Sequence, residues 1–563
     1  MPIYYSFLRA LLFAAVFLVF TPVARAQAPT WQMAMAAGGG GSRVEATVAD
    51  ANGNVYIAGG FSGTVGFGST TLVSAGSSDI FVAKWSTTTN RFVWAQRAGG
   101  VNYDYAAALT LSDTNVYVVG AFIGTADFGP ASLTSAGNFN VFVAKLTDAG
   151  TSTGFTWAVR AGGSSGDFGY AVAVSGREVY VSGFTYSLTL TFGSITLSNT
   201  NSAMGFVAKL TDAGNAGAFV WVQPIGSSSS SLSRALVVVG ANVYVAGNFS
   251  GTATFGSFSL TSPGTNVASG FVAKLADAGS SSSFAWVQQA RGTESTGFTA
   301  LAAAGSGAAL YGVGYFGGTA ALGGTSLTSV GSGDGFVAKL TDAGTVGAFD
   351  WAQRVGGAGA DEVSALSVRG AAVYVAGSFS GAAATFGTTT LSSAGYTDAF
   401  VTRLTDAGSA GNFVWAQQAG GVGSDYATSI SLALNGIPYV GGTVAAPASF
   451  GSLTIAGPMN SEVGFFASLT NATGLATASA TTLTTPETFP NPAHGRATIQ
   501  LPVIPGTPTA TLTLLDALGR ILRTQTAATN STAEIDLTGL APGLYAVRVQ
   551  AGGSTATQRL VVE

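Results

Sequence analysis

Val141-Phe142-Val143-Ala144-Lys145-Leu146-Thr147-Asp148-Ala149-Gly150, followed by Phe155-Thr156-Trp157-Ala158-Val159-Arg160, is an apolar run, a turn and a second apolar run. Val, Phe and Leu bounded by Asp and Gly read as two antiparallel strands joined by a hairpin turn. The passage recurs, with its tryptophan at Trp31, Trp94, Trp157, Trp221, Trp286, Trp351 and Trp415, at intervals of 63, 63, 64, 65, 65 and 64 residues. A tyrosine keeps the same period at Tyr56, Tyr117, Tyr180, Tyr244, Tyr311, Tyr374 and Tyr439. So does a Phe-Gly pair at Phe67, Phe128, Phe192, Phe255, Phe386 and Phe450, with Leu322 substituting once. The FVAK block starts at Phe81, Phe142, Phe206, Phe271 and Phe336 and wears to FVTR at Phe400 and FFAS at Phe465. Trp85 alone among the tryptophans falls outside the series.

In the second copy two further apolar runs, Ala106–Leu111 and Val116–Gly120, flank a turn at Asp113-Thr114-Asn115. Four short strands per unit and seven units predict an all-β chain whose main body is a seven-bladed β-propeller. The alternative, an open solenoid, uses repeats of roughly 20–30 residues. The phase of the repeat adds a second expectation. The segment Thr30–Ala36 has a tryptophan strand but nothing before it, and the unit Ala427–Thr470 has three strands and no tryptophan. The N-terminal strand is therefore expected to complete blade 7, which removes the orphan edge of an open array.

Composition fits this reading and excludes others. Of 563 residues 79 are glycine, none is cysteine and 9% are charged, against about 7% glycine and about 25% charged in an average protein. With 35 Phe, 17 Tyr and 8 Trp the chain is too aromatic for disorder. With 16 prolines and no three-residue glycine period it is not collagen. A net charge of −4 gives no case for nucleic acid. The apolar stretch Ala10–Phe20 follows Arg9 and precedes Thr21-Pro22-Val23-Ala24-Arg25-Ala26. It is shorter than the ~20 residues of a spanning helix, and its ends describe a secretory signal peptide, residues 1–26, cut between Ala26 and Gln27. An uncleaved anchor is the alternative; after cleavage no integral membrane span is expected. Sheets buried on both faces explain the many small and apolar residues, and a large core replaces disulfides.

Candidate sites are weighed against plainer roles. The tryptophans could stack on carbohydrate, but one per blade reads as packing between blades. All five lysines, Lys84, Lys145, Lys209, Lys274 and Lys339, stand in FVAK blocks, with Arg403 in the sixth copy. An anion-binding ring is conceivable; stems on apolar surface with ammonium groups in water is the preferred reading. Asp104, Asp167, Asp361 and Asp425 each lie four residues past a Gly-Gly, at the start of the expected innermost strand. They could hold a cation such as calcium at the channel rim; capping of backbone N–H groups at the crossover is preferred. Asp148, Asp212, Asp277, Asp342 and Asp406 read as turn residues, and Asp50-Ala51-Asn52-Gly53-Asn54 as a hairpin turn. The one histidine, His494, lies outside the repeats, so the propeller has no triad or thiol and no His/Cys zinc site. No catalytic, cofactor-binding or metal residue is nominated, and no cofactor is expected.

The pattern GG…D-(Y/F)-A…VYV-(A/S)-G-x-F…FG…L-x-S-x-G…FVAKL…W, over Trp31–Thr470, resembles the bacterial seven-bladed β-propeller-like repeat. Departures are Leu322-Gly323, Ile225-Gly226 and the FFAS block. The resemblance implies an exported propeller and adds little on molecular role. Residues 27–470 are assigned to the propeller and the Thr/Ala-rich 471–486 to a linker. Residues 487–563 show alternating strands at Ala497–Leu501, Ala510–Leu515, Ala533–Leu537, Gly543–Val549 and Ala556–Val562, which predict a small immunoglobulin-like β-sandwich.

This module resembles the type A C-terminal sorting domain of the type IX secretion system. The matching residues are Phe489-Pro490-Asn491-Pro492, Leu515-Asp516-Ala517-Leu518-Gly519-Arg520, Leu537–Gly543 with Leu544-Tyr545, and the closing Arg559–Glu563. The resemblance implies that the module engages an outer-membrane translocon and is removed, the cargo being released or anchored at the bacterial surface. The expectation is thus an exported surface or secreted binding scaffold, not an enzyme, for a glycan or protein ligand. The alternative is a carboxylate-based polysaccharide-active enzyme, which one asymmetric acidic cleft with a raised carboxyl pKa would favour.

Overall fold

A computed structural model describes residues 28–470 and 487–563, apart from 201, 265, 306, 502–508, 517–519, 530 and 552–553. The signal peptide, its Ala26–Gln27 cleavage point and the linker 471–486 lie outside the described residues. The chain divides into two compact units, the larger spanning Ala28–Ala472.

That unit holds seven antiparallel sheets, of which the second is representative. Its strands Tyr105–Ser112, Asn115–Phe122, Asn140–Asp148 and Thr153–Gly162 pair in sequence order. The second and third strands have almost no exposed side chain on either face. That is why they read as unbroken apolar runs: each blade is covered by a neighbour on both sides. The inner strands Ser42–Ala49, Tyr105–Ser112, Asp167–Ser175, Ser230–Val239, Thr296–Ala304, Glu362–Arg369 and Tyr426–Leu432 touch in cyclic order, the last against the first. They enclose a central channel. Trp31–Gly40 is the fourth strand of the seventh sheet, pairing with Ser461–Leu469 so that Trp31 faces Leu469 and Met35 faces Phe466.

One element was not legible as structure. The glycine-rich excursion around each Phe-Gly pair is a hairpin, Thr125–Phe128 with Ala131–Thr134 in the second copy, turning at Gly129 with φ 60°. It extends not its own sheet but the outer strand Arg91–Gly100 of the preceding blade. Six sheets thereby reach six strands. The blade of Thr296–Ala304 stays at four, the hairpin Ala384–Phe386 with Thr389–Leu391 touching it through one bridge, Gly356 to Thr385. The hairpins cover edges that would otherwise be open, and the periodic phenylalanine anchors them: Phe128 lies 4.8 Å from Phe142 and 5.7 Å from Phe155.

The Gly-Gly pairs mark the crossings between blades. Gly99 has φ 134°, outside the range most side chains adopt, and a Cβ on Gly100 would lie 1.9 Å from the Thr125 carbonyl oxygen. The chain turns there against the hairpin of the next copy.

The smaller unit has two antiparallel sheets. One comprises Glu487–Phe489, Arg496–Gln500 and Thr532–Asp536; the other Ile521–Ala528, Thr509–Leu515, Gly543–Ala551 and Ser554–Val562. Ile499, Leu512, Leu514, Ile535, Val547 and Leu560 fill the core between them. Ile521–Ala528 carries no strand signal because it is a mostly exposed edge strand whose apolar residues, Ile521-Leu522 and Ala527-Ala528, sit in pairs at its ends without alternation.

Deleting Gln27 to Gly41 removes a whole strand of the seventh sheet with the buried Trp31. Loss of such a side chain alone costs roughly 3–5 kcal/mol, so the deletion is expected to lower the propeller's melting temperature sharply. An unchanged melting curve would contradict ring closure by this strand.

Candidate functional site

The register places Tyr117, Lys145 and Trp157 side by side across three strands. All three converge on Asp212, in the turn of the next blade. Lys145 Nζ is 2.7 Å from Asp212 Oδ2, the Tyr117 hydroxyl donates to the same oxygen at 2.7 Å, and Trp157 Nε1 donates to Oδ1 at 3.0 Å. The turn supplies a fourth donor, Gly214 N, at 2.8 Å. The constellation repeats with Tyr56, Lys84 and Trp94 on Asp148, and with Tyr180, Lys209 and Trp221 on Asp277. It repeats again with Tyr244, Lys274 and Trp286 on Asp342, and with Tyr311, Lys339 and Trp351 on Asp406. Burial raises each aspartate's pKa, but the hydrogen bonds, led by the lysine's, outweigh it and hold the carboxyl below its ordinary value, to about 2 at Asp406.

This corrects the reading of the lysines. Their ammonium groups are not in water: Lys84, Lys145, Lys209 and Lys274 are buried and every lysine is ion-paired. The turn aspartates are likewise more than turn formers. A signal was present in the sequence, with lysines in copies one to five and aspartates in copies two to six, offset by one blade. The tryptophans are buried packing residues; Trp157 covers Gly217, where a Cβ would lie 2.8 Å from its ring.

The remaining two junctions differ. In the sixth copy Arg403 lies over Tyr374 at 5.8 Å, and Arg403 Nε and Trp415 Nε1 have no partner among the described residues. Between the seventh and first blades there is neither lysine nor aspartate. Trp85, the tryptophan outside the series, fills that place: Phe466 sits 5.8 Å from Trp85 and stacks on Tyr439 at 5.5 Å.

Asp104, Asp167, Asp361 and Asp425 are buried where the inner strands begin. Each accepts from the second glycine of its Gly-Gly pair, Gly100 at 2.7, Gly163 at 2.7, Gly357 at 2.6 and Gly421 at 2.8 Å. The other oxygen takes Ile123 N, the Thr185 hydroxyl, Ser380 N or Ala445 N. Asp79, Asp334 and Asp398 stand beside three of them; at Asp167 the neighbour is Asn140, which donates at 3.0 Å. Burial first, then the neighbouring carboxylate, pushes Asp104, Asp361 and Asp425 up to about 6. Among the described residues no group of three or more His, Cys, Asp or Glu is placed to hold a metal ion.

The positions that differ between copies gather elsewhere. Each inner strand carries one β-bulge near its start, at Glu45, Ala107, Tyr170, Arg234, Thr299, Ser364 and Thr428. An unpaired bulge residue re-aims its side chain, and all seven line one central cavity of about 580 Å³. A second variable position lies near the end of the second strand: Gly60, Ala121, Phe184, Asn248, Tyr315, Ser378 and Thr443. Two more cavities open at the same end, one of about 830 Å³ with Arg234, Glu294, Tyr315, Glu362 and Tyr426, one of about 350 Å³ with Arg43, Glu45, Tyr103 and Tyr105. Burial raises the pKa of Glu45 and Glu362, opposed by Arg43 and Arg234 respectively. Arg43 is paired with Glu462 at 2.7 Å. Arg234 lies over the Tyr170 ring at 5.4 Å, and its buried Nε has no partner. These residues carry no repeat signal in the sequence, since the seven equivalent positions differ in chemistry from blade to blade.

In the smaller unit Asn491 ties the Pro490-Asn491-Pro492 segment to the last strand, donating to the Arg559 carbonyl and accepting from Val561 N, both at 2.8 Å. Arg520 Nε pairs with Asp516 at 2.7 Å, and the Tyr545 hydroxyl donates to the Ala541 carbonyl. Gly543 opens a strand; Gly519 lies outside the described residues.

The larger unit thus belongs to the class of all-β chains built of propeller blades. Residues 487–563 match the family described as the secretion system C-terminal sorting domain. The chain is therefore exported through type IX secretion, across the outer membrane to the cell surface or extracellular space. No curated protein matches the chain. Among solved structures it is similar to a mutant NanB sialidase from Streptococcus pneumoniae, with 9% identity, a TM-score of 0.32, and 76% of this chain and 68% of that one covered. No helix among the described residues is long and apolar enough to cross a membrane.

Asp212→Asn and Lys145→Met each strand a buried partner, and such losses cost about 3–5 kcal/mol; both are expected to melt well below the parent. The pH profile follows from two carboxyl sets of opposite sign. Asp104, Asp361 and Asp425 hold protons more tightly when folded, so their contribution is complete below the ordinary 3.8 and lost as pH rises through about 6. The clasp aspartates contribute fully above 3.8 and lose this as pH falls, through about 2 at Asp406. The melting temperature should peak near pH ~4 and decline on both sides; a monotonic rise from pH 4 to 8 would refute the assignment.

Proposed function

We propose that the exported chain is a binding protein whose ligand sits at the bulged end of the central channel. On this reading the larger unit is a propeller of the bacterial seven-bladed propeller-like repeat kind, its partner an extracellular glycan or protein. It is a binding module, not an enzyme, and needs no cofactor or metal. The observation that carries the reading is the contrast between repeat positions. Clasp residues are the same in five junctions, whereas the seven bulge sites hold Glu, Ala, Tyr, Arg, Thr, Ser and Thr. Packing asks every blade for the same residue; recognition asks for a singular constellation on a rigid frame.

A second reading has its own support. Glu45, half-buried, and Glu362, at the exposed start of its strand, have no carboxylate at the equivalent place in other blades, are held above their ordinary pKa by their surroundings, and both border the channel cavity, as a carboxylate-based polysaccharide hydrolase or lyase would require. Binding is preferred because the two line separate outer cavities and each faces its own arginine. The test is an array of glycans and extracellular proteins probed with the mature chain. Binding that Arg234→Ala abolishes at unchanged melting temperature is expected; binding indifferent to the channel mouth refutes the proposal, and release of shortened saccharides, lost in Glu362→Gln, favours the enzyme. Separately, a variant ending at Pro486 is expected to be absent from the cell surface, and its arrival there would contradict the sorting role.

A further inference from the structure

Seven aromatic side chains run without a break along the bulged end; Tyr105 and Phe168 occupy the D-(Y/F) position of the repeat, whereas Tyr103, Phe139, Tyr170, Phe184 and Tyr186 stand where the repeat asks for no aromatic. Tyr103 lies 6.1 Å from Tyr105, Tyr105 6.4 Å from Phe139, and Phe139 5.5 Å from Phe168. Phe168 is 5.3 Å from Phe184, which stacks on Tyr170 at 5.4 Å and meets Tyr186 at 5.4 Å. The interior of this strip is half-buried or buried, while its two ends are open: Tyr103 is 43% and Tyr186 46% exposed. Arg234 continues the line from Tyr170 and lines two adjoining cavities, its Nε buried behind them without a partner. Glu362 borders the same two cavities and is influenced by the Arg234 charge.

Building on the channel-mouth reading, we infer that the strip and the Arg234–Glu362 pair bind an uncharged polysaccharide chain, with sugar rings stacked on the exposed tyrosines and hydroxyls held by the pair. The C–H faces of a pyranose match the negative face of an aromatic ring, and Tyr103 and Tyr186 offer such faces to solvent at the two ends of the strip. A hydroxyl both donates and accepts, so an arginine beside a glutamate satisfies it in both directions. Charge argues against an acidic glycan. Two arginines, Arg43 and Arg234, stand against Glu45, Glu294, Glu362 and Glu462 around these cavities, so a polyuronate would meet net repulsion.

The experiment is affinity electrophoresis and calorimetry of the mature full chain with mixed-linkage β-glucan, xyloglucan, galactomannan, dextran and polygalacturonate. Binding to at least one neutral polymer is expected, little changed between 50 and 500 mM NaCl because no charge is screened. Tyr103→Ala and Tyr186→Ala, both at exposed sites, should each weaken it roughly three- to ten-fold; Arg234→Lys, which keeps charge but loses the planar fork, should weaken it at least as much. Neutral-polymer binding indifferent to these variants, or no binding to any neutral polymer, overturns the inference. Binding of polygalacturonate alone, salt-sensitive and lost in Arg234→Ala, overturns the neutral-glycan inference while supporting the channel-mouth site; glycan binding that survives every mouth variant overturns both.

Discussion

A single carboxylate receiving three donors across a blade boundary, and a fourth from its own turn, is the interaction on which the larger unit depends. Removing Asp212 and Lys145 from water is costly, and only a fully partnered geometry offsets that cost. The near-identical Lys–Asp distances at five junctions, 2.7 to 2.8 Å, show how tightly the solution is specified. The aspartate comes from one blade and the lysine, tyrosine and tryptophan from the blade before it. The edge hairpins are lent in the same direction. Neither device is complete within a single repeat, so stability resides in nearest-neighbour interfaces, as in other repeat architectures. Closing the ring gives the first and last blades such an interface too.

The closure itself is built from other materials. The seventh-to-first junction substitutes a cluster of Trp85, Phe466 and Tyr439 for the ionic clasp, and the strand that completes its last sheet comes from the far end of the chain. Low overall charge follows from the same economy: every lysine and five aspartates are spent inside the clasps. What remains exposed on the bulged end is free to differ from blade to blade.

Much of this was legible because repetition amplifies weak signals. Seven aligned tryptophans and tyrosines define strand number and order, and the missing strand of the last copy points to its donor. The hairpins at Phe67, Phe128 and their equivalents were hidden because strands of three or four residues, such as Thr125-Ala126-Asp127-Phe128, are too short for their alternation to stand out from the glycine-rich turns around them. The clasp was hidden because lysine and aspartate lie 64 to 68 residues apart and on different blades. The bulged residues resisted for the opposite reason. Glu45, Tyr170 and Arg234 share a position but no chemistry, and only the backbone register reveals that they are equivalent. The crossover aspartates, by contrast, declared their position through the Gly-Gly four residues earlier, and their carboxylates meet the backbone amides there.

The account separates a repeated frame from a singular recognition surface at one end of the channel. Hydrogen exchange on the mature chain, with and without a polysaccharide ligand, tests that separation most directly. Protection is predicted in the crossovers and loops of the bulged end, around residues 101–105, 184–188 and 358–364. Protection confined to the opposite turns, around residues 112–115, 148–152 and 212–216, would contradict it.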